Sequence, residues 1–395
     1  MTPEQRSKTG RREFLKQAGA GAIVSSLPVS HFFIPKAEGF FRLQKSGGRW
    51  WLINPQGERF WSIGVNHVDP ATLRYTDNGR IWEEKYQNSM QRWLETVHSD
   101  LQGWGFNTLG WNQEVVTINR QNHRHSRSFT FEEYQWLDMP YCHMLPFIES
   151  HQWEIETRLP DIRSKGFAEW ADYVARDHCA RMKDDPKLMG YFYTDCPTWV
   201  HSNGGTRWKA PIFDPEQLKT EAGKKELTDL ATTYYRVLHD AIRRYDPNHL
   251  ILGDRYEANH PLPEEVVKAA LPYVDVLSFQ CFRGAEKVAE KLGYWAQLTG
   301  HPVLLGDSAI WIEPFNPKWP PPEQRHHDPE GYRATMEVLW KIPESIGFHL
   351  CGAYLQNDVR NYGLKNINDE PDNPYSEQLA EINRNMLASV RKWRP

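Results

Sequence analysis

Short apolar runs alternate along the chain with longer stretches in which apolar residues recur three and four apart. The runs cover residues 60–65, 108–111, 139–147, 188–194, 250–253, 274–282, 302–306 and 348–355. Most are too short for a helix and are bounded by polar or turn-forming residues, as strands buried on both faces are. The periodic stretches cover residues 90–103, 167–184, 224–245, 263–271, 285–299, 329–342 and 376–393, each with one apolar face. Tyr245-Asp246-Pro247-Asn248 and Thr299-Gly300-His301-Pro302 stop a helix and open the next strand. Eight strands with helical connections predict an α/β chain, a parallel (β/α)8 TIM barrel closed on itself. Ahead of it, residues 40–44 and 49–53 flank Gly47-Gly48 and predict an N-terminal β-hairpin extension.

The first 37 residues read as an address. Thr9-Gly10-Arg11-Arg12-Glu13-Phe14-Leu15-Lys16 resembles the twin-arginine export signature, and the weakly apolar residues 18–29 after it are too short to span a bilayer. The expected organisation is a signal peptide over residues 1–37 and a barrel domain over 38–395, exported folded to the periplasm or beyond.

Composition narrows the partners. A formal net charge of -4 over 395 residues supplies no basic groove, so neither nucleic acid nor an anionic membrane surface is expected to bind. The 17 Trp residues suit a protein that handles sugars, because the C–H face of a pyranose stacks on a flat indole. Five scattered cysteines without a CxxC pair form neither a disulfide scaffold nor a thiolate zinc site. His326-His327-Asp328 precedes a proline and reads as a helix cap; no metal or other cofactor is expected.

In a parallel barrel the functional side chains gather at the carboxyl ends of the strands. In this chain those ends carry Asn66-His67-Val68-Asp69, Trp111-Asn112-Gln113-Glu114, Cys142-His143, Thr194-Asp195-Cys196, Asp254-Arg255-Tyr256-Glu257, Gln280-Cys281, Asp307-Ser308 and Gln356-Asn357-Asp358. His67, Asn112 and His143 are candidates for hydrogen bonds to sugar hydroxyls; Trp111, Trp199 and Trp311 are candidates for stacking. Asp254, Glu257 and Gln280 complete the expected binding surface. Arg255 is expected to keep Asp307 ionised, since a nearby guanidinium lowers a carboxyl pKa.

Gly190-Tyr191-Phe192-Tyr193-Thr194-Asp195, Leu252-Gly253-Asp254-Arg255-Tyr256 and Pro302-Val303-Leu304-Leu305-Gly306-Asp307 resemble clan A glycoside hydrolases, in particular exported β-agarases and β-galactosidase-like enzymes. The resemblance implies a carbohydrate substrate, an acid/base at the end of the fourth strand and a nucleophile at the end of the seventh. The chain departs from that pattern. Asp195-Cys196 stands where Asn-Glu is usual, and Asp307 replaces the seventh-strand Glu. A thiol with a pKa of about 8.5 cannot protonate a leaving group as a carboxylic acid does. Asp195 and Asp307 are therefore the expected catalytic pair. Alternatives are Asp307 with Glu257, Glu114 or Asp254, a barrel that binds glycans without cleaving them, and a glycosidase of α-linkage specificity. Two shortened carboxylate arms favour the wider spacing of inverting enzymes, about 6.5–9.5 Å against about 5–5.5 Å in retaining ones.

Overall fold

The computed structural model describes residues 38–74, 79–113, 115–118, 122–125, 127–148, 161–197, 199–200, 216–259, 261–309, 328–351, 354–356 and 362–394. The segment over residues 1–37 that resembles a twin-arginine signal, Glu114, Trp311, the His326-His327 pair and Asn357-Asp358 lie outside these residues.

Strands β1 (Arg42–Ser46), β2 (Arg49–Ile53) and β3 (Arg59–Phe60) form an antiparallel sheet in that order. Gly47 and Gly48 make the β1–β2 turn with φ of 56° and 77°, a region open to glycine. The expected hairpin is there, its first strand displaced two residues along the chain and a third strand added. The barrel follows. Its strands are β4 (Ser62–Val65), β5 (Thr108–Leu109), β8 (Tyr141–Met144), β9 (Leu188–Asp195), β10 (Leu250–Glu257), β11 (Leu277–Gln280), β12 (Val303–Ser308) and β13 (Ser345–Leu350). All neighbours run parallel, and β13 pairs with β4 to close the ring. A short hairpin, β6 (Val115–Ile118) with β7 (Asn122–His125), stands between β5 and β8.

Ten helices are described: α1 (Ala71–Arg74), α2 (Gly79–Tyr86), α3 (Met90–Gly103), α4 (Phe131–Leu137), α5 (Lys165–Met182), α6 (Glu221–Tyr245), α7 (Glu264–Ala270), α8 (Ala285–Thr299), α9 (Pro329–Lys341) and α10 (Tyr375–Lys392). Outward-facing strand residues such as Ile251, Phe279, Leu305 and Phe348 share one core with helix residues Leu94, Val97, Leu238, Ile242, Leu292 and Leu339. A second core fills the barrel itself. Leu250, Leu304 and Ile346, from the amino ends of their strands, and Val276, just ahead of β11, pack there with Leu43 and Leu52 of the N-terminal sheet and Phe41 just ahead of it. The extension thus closes the amino end of the barrel, and the polar groups collect at the carboxyl end. No helix among the described residues is long and apolar enough to cross a membrane.

One irregularity positions the site. Between β9 and β10 the register runs Ile251 to Tyr191, Gly253 to Phe192 and Arg255 to Asp195, with a shift on either side of Gly253. Gly253 has φ +67°, and a Cβ on it would lie 3.0 Å from Val274 Cγ1. A bulge of this kind inverts which residues face inward. Leu250 and Leu252 point into the barrel, yet beyond the bulge it is Arg255, not Asp254, that does so. Gly253→Ala is expected to cost about 1–3 kcal/mol through the enforced left-handed backbone. Denaturant unfolding checks it; an unchanged midpoint would show that the strand tolerates a side chain there.

Candidate active site

Asp195 and Asp307 end β9 and β12 inside the barrel mouth, 4% and 3% exposed. Between them lies Arg255, which is 0% exposed. Its Nε and Nη2 donate to Asp195 Oδ1 at 3.1 and 2.7 Å, and its Nη1 stands 3.3 Å from Asp307 Oδ2. One guanidinium therefore links both carboxylates, as its planar fork of donors allows. Gln280 Nε2 also donates to Asp195 Oδ1. Asp195 is the better held of the two: one of its oxygens accepts from both Arg255 and Gln280.

Asp307 is held from the other side. Asn66 Nδ2 donates to its Oδ1 at 2.8 Å and to Gly306 O at 2.9 Å, while Asn66 Oδ1 accepts from the Trp111 backbone N–H at 2.8 Å. The sequence marks Asn66 only as one polar strand end among several. Its position depends on Gly110, where a Cβ would overlap Asn66 Oδ1. Burial raises the Asp307 carboxyl above its ordinary range and the Asp195 charge adds to this, although Arg255, Asn66 and the Cys351 thiol pull it down. The expectation that Arg255 controls Asp307 therefore holds for the contact but not for the net shift, because desolvation outweighs the guanidinium.

Glu257 lies two residues beyond Arg255 on β10 and, by the same alternation, on the inward face. Burial raises its carboxyl to about 7; the backbone and side-chain amides of Asn259, at 2.9 and 2.8 Å, oppose this, and the Asp307 charge reinforces it. Cys196, with φ 45°, sits beside Asp195 and Glu257, and burial, reinforced by the Asp195 charge, keeps its thiol protonated.

Four residues expected to meet sugar are turned elsewhere. Asp254 faces α6, accepting from Tyr234 Oη at 3.0 Å, Tyr235 Oη at 2.7 Å and the Thr194 backbone N–H at 3.1 Å, because the Gly253 bulge turns it outward. Burial raises it to about 6 even so. His143 uses both ring nitrogens between helices, with Tyr134 Oη at 3.1 Å and His178 Nδ1 at 2.9 Å. Trp199 packs against Tyr234 and Tyr235 of α6. Trp111 is fully buried inside the barrel, its ring 4.1 Å from the Arg255 guanidinium carbon. It is a platform for the arginine, a cation–π contact. Trp311 lies outside the described residues.

His67 and Asn112 do belong to the mouth. His67 adopts φ 56°, and its ring nitrogen, Asp307 and Cys351 Sγ bring ligand atoms within 4.8 Å of one another. Among the described residues this is the group with a metal-like donor set. Arg255 already places a positive charge 3.3 Å from the same carboxylate, which opposes a second cation. Asn112 Oδ1 accepts from the Val68 N–H at 2.7 Å, while its Nδ2, like Gln280 Oε1, is buried without a hydrogen-bond partner among the described residues. A buried unpaired donor and acceptor are costly unless a ligand satisfies them. Nothing in the sequence singles out His349. It hydrogen-bonds Ser62 Oγ at 2.7 Å beneath the site, where burial and then Arg255 lower it to about 3. It is a neutral imidazole in the barrel floor.

With this geometry in view, known proteins supply the context. The chain is 22% identical to β-agarase B from Vibrio sp. (strain JT0107), over 89% of this chain and 48% of that protein. It is similar to a β-agarase. The chain spans about half the length of that curated relative. Among solved structures, an agarase superposes with a TM-score of 0.65 at 19% identity, covering 90% of this chain and 65% of the other. A Bacteroides uniformis β-glucuronidase superposes with a TM-score of 0.55 at 12% identity, covering 87% and 37%. No protein-family model matches the chain. These likenesses establish the (β/α)8 barrel, and the similarity to agarases agrees with the motifs quoted from the sequence.

Proposed function

We propose that the chain is an exported glycoside hydrolase that cleaves a galactoside-type polysaccharide, such as agarose, or oligosaccharides derived from it. The observation that carries this reading is Asp307. It is a buried carboxylate at the carboxyl end of the seventh barrel strand, fixed by Asn66 and faced by Arg255. A carboxylate so placed can attack, or activate water against, an anomeric carbon. Asn112 Nδ2 and Gln280 Oε1, which have no partner among the described residues, support a ligand rich in hydroxyl groups, which supply donors and acceptors together. The similarity to β-agarase B supports the galactan, and the twin-arginine motif at Arg11-Arg12 supports export to the periplasm or medium.

Asp307 is one methylene shorter than Glu, which withdraws its carboxyl by about 1.5 Å from the strand end. The retraction leaves room for a water molecule, so inversion of anomeric configuration is expected. Proton NMR of the first product formed from agaro-oligosaccharides tests both points. An anomeric signal of the opposite configuration supports the reading. The substrate's own configuration would make Asp307 a nucleophile, and no product at all would remove the hydrolase.

A further inference from the structure

We infer that Glu257, not Asp195, is the proton donor to the leaving oxygen, and that Asp195 serves to position Arg255. The inference rests on the hydrolase reading and deepens it at the same mouth. A proton donor must hold a proton near neutral pH and deliver it to a substrate atom. Asp195 is poorly built for holding or delivering one. Its Oδ1 accepts from Arg255 Nε, Arg255 Nη2 and Gln280 Nε2 together, which is how an ionised partner of a buried guanidinium is held.

Glu257 has the opposite surroundings. Burial disfavours its charge, and Asp307 repels its ionised form more than Arg283 attracts it; the Cys196 and Cys281 thiols beside it are neutral. Among the described residues its hydrogen bonds come from Asn259, both to one oxygen. The two carboxyls at the mouth thus have different surroundings: the Arg255 guanidinium and the Asn66 amide favour the ionised form of Asp307 against its burial, while Asp307 itself disfavours that of Glu257. Unlike surroundings of this kind mark acid and base partners. In the step, Glu257 gives its proton to the glycosidic oxygen as the bond from the anomeric carbon to that oxygen breaks, the electron pair staying on the oxygen. Water bonds to the carbon and passes a proton to Asp307. Exchange with solvent then returns a proton to Glu257 and removes one from Asp307. The Gly253 bulge makes this possible, since it puts Arg255 and Glu257 on the inward face and Asp254 outside.

The test compares Glu257→Gln and Asp195→Asn on phenyl and dinitrophenyl glycosides of agaro-oligosaccharides. Dinitrophenolate leaves without protonation. Glu257→Gln should lose at least about a hundredfold on the phenyl glycoside and less than about tenfold on the dinitrophenyl one. Its alkaline limb near pH 7 should disappear with the latter substrate. Asp195→Asn should lose the same factor on both. Equal losses for Glu257→Gln, or a leaving-group dependence for Asp195→Asn instead, overturn the inference. A second arm needs no substrate. Glu257 has a folded-state value above its ordinary one, so its contribution is present at low pH and lost as pH rises through about 7. Glu257→Gln should therefore raise the thermal midpoint relative to wild type at about pH 8 and not at about pH 5. An equal difference at both would show that Glu257 holds no proton, and would also overturn the inference. A wild type that cleaves neither glycoside would fail the hydrolase reading itself, while the pH arm separately reports the state of Glu257.

Discussion

Asp307→Asn is expected to lower turnover on agaro-oligosaccharides by at least about a thousandfold with the fold intact. Loss of a group acting as general base or nucleophile costs that order. The substitution is nearly isosteric. The amide oxygen can still accept from Asn66, and removing one buried charge relieves the desolvation that raises the Asp307 carboxyl. Arg255 keeps Asp195 as its countercharge, so stability should change little, which separates lost chemistry from lost structure. Retention of a tenth of wild-type turnover, with an unchanged unfolding midpoint, would take Asp307 out of the reaction.

Arg255→Met is expected to cost about 3–5 kcal/mol of stability, because a buried guanidinium that links two carboxylates leaves uncompensated charge when removed. Asp195 loses its two hydrogen bonds from Arg255, and Asp307 loses its partner at 3.3 Å. Trp111 also loses the cation resting on its ring. Arg255→Lys should recover only part of the loss, since a single ammonium cannot serve both carboxylates as a planar fork does. Adding Asp195→Asn to Arg255→Met should restore some stability by removing one stranded charge. Urea unfolding of wild type and the three variants checks this. Equal midpoints for wild type and Arg255→Met would mean that the pair contributes nothing net.

The barrel is legible in the sequence because its signals are repeated and local. Eight apolar runs fall in order on the eight barrel strands, and the helical stretches at 90–103 and 285–299 coincide with α3 and α8. The short elements α1, α2 and α4 lie below that signal, although Thr130 and Glu133 form a capping box that marks the start of α4. The expected end of the fifth barrel strand at Gly253 is four residues early. The apolar run stops at this glycine, which makes a bulge, and the strand runs on through polar residues to Glu257.

The site is legible to the level of strand ends and no further. Asp195 and Asp307 do meet at one mouth, bridged by Arg255. Which neighbours face inward depends on backbone irregularities that alternation cannot supply. Asp254 and Glu257 look equivalent in the sequence, yet one bonds to helix tyrosines and the other stands in the mouth. His143, Trp111 and Trp199 suggest sugar contacts by residue type alone. In the fold, His143 and Trp199 serve the layer between strands and helices, and Trp111 supports Arg255. The roles of Asn66 and His349 escape sequence reasoning because they arise from Gly64 and Gly110, whose missing side chains make room for them.

The most direct test of the account is incubation of the chain with agaro-oligosaccharides in heavy-oxygen water, with mass spectrometry of the fragments. Hydrolysis at the anomeric carbon predicts shorter oligosaccharides carrying one heavy oxygen at each new reducing end, formed by wild type and not by Asp307→Asn. Oligosaccharides bound but recovered whole and unlabelled would contradict it, and would make the barrel a glycan-binding protein.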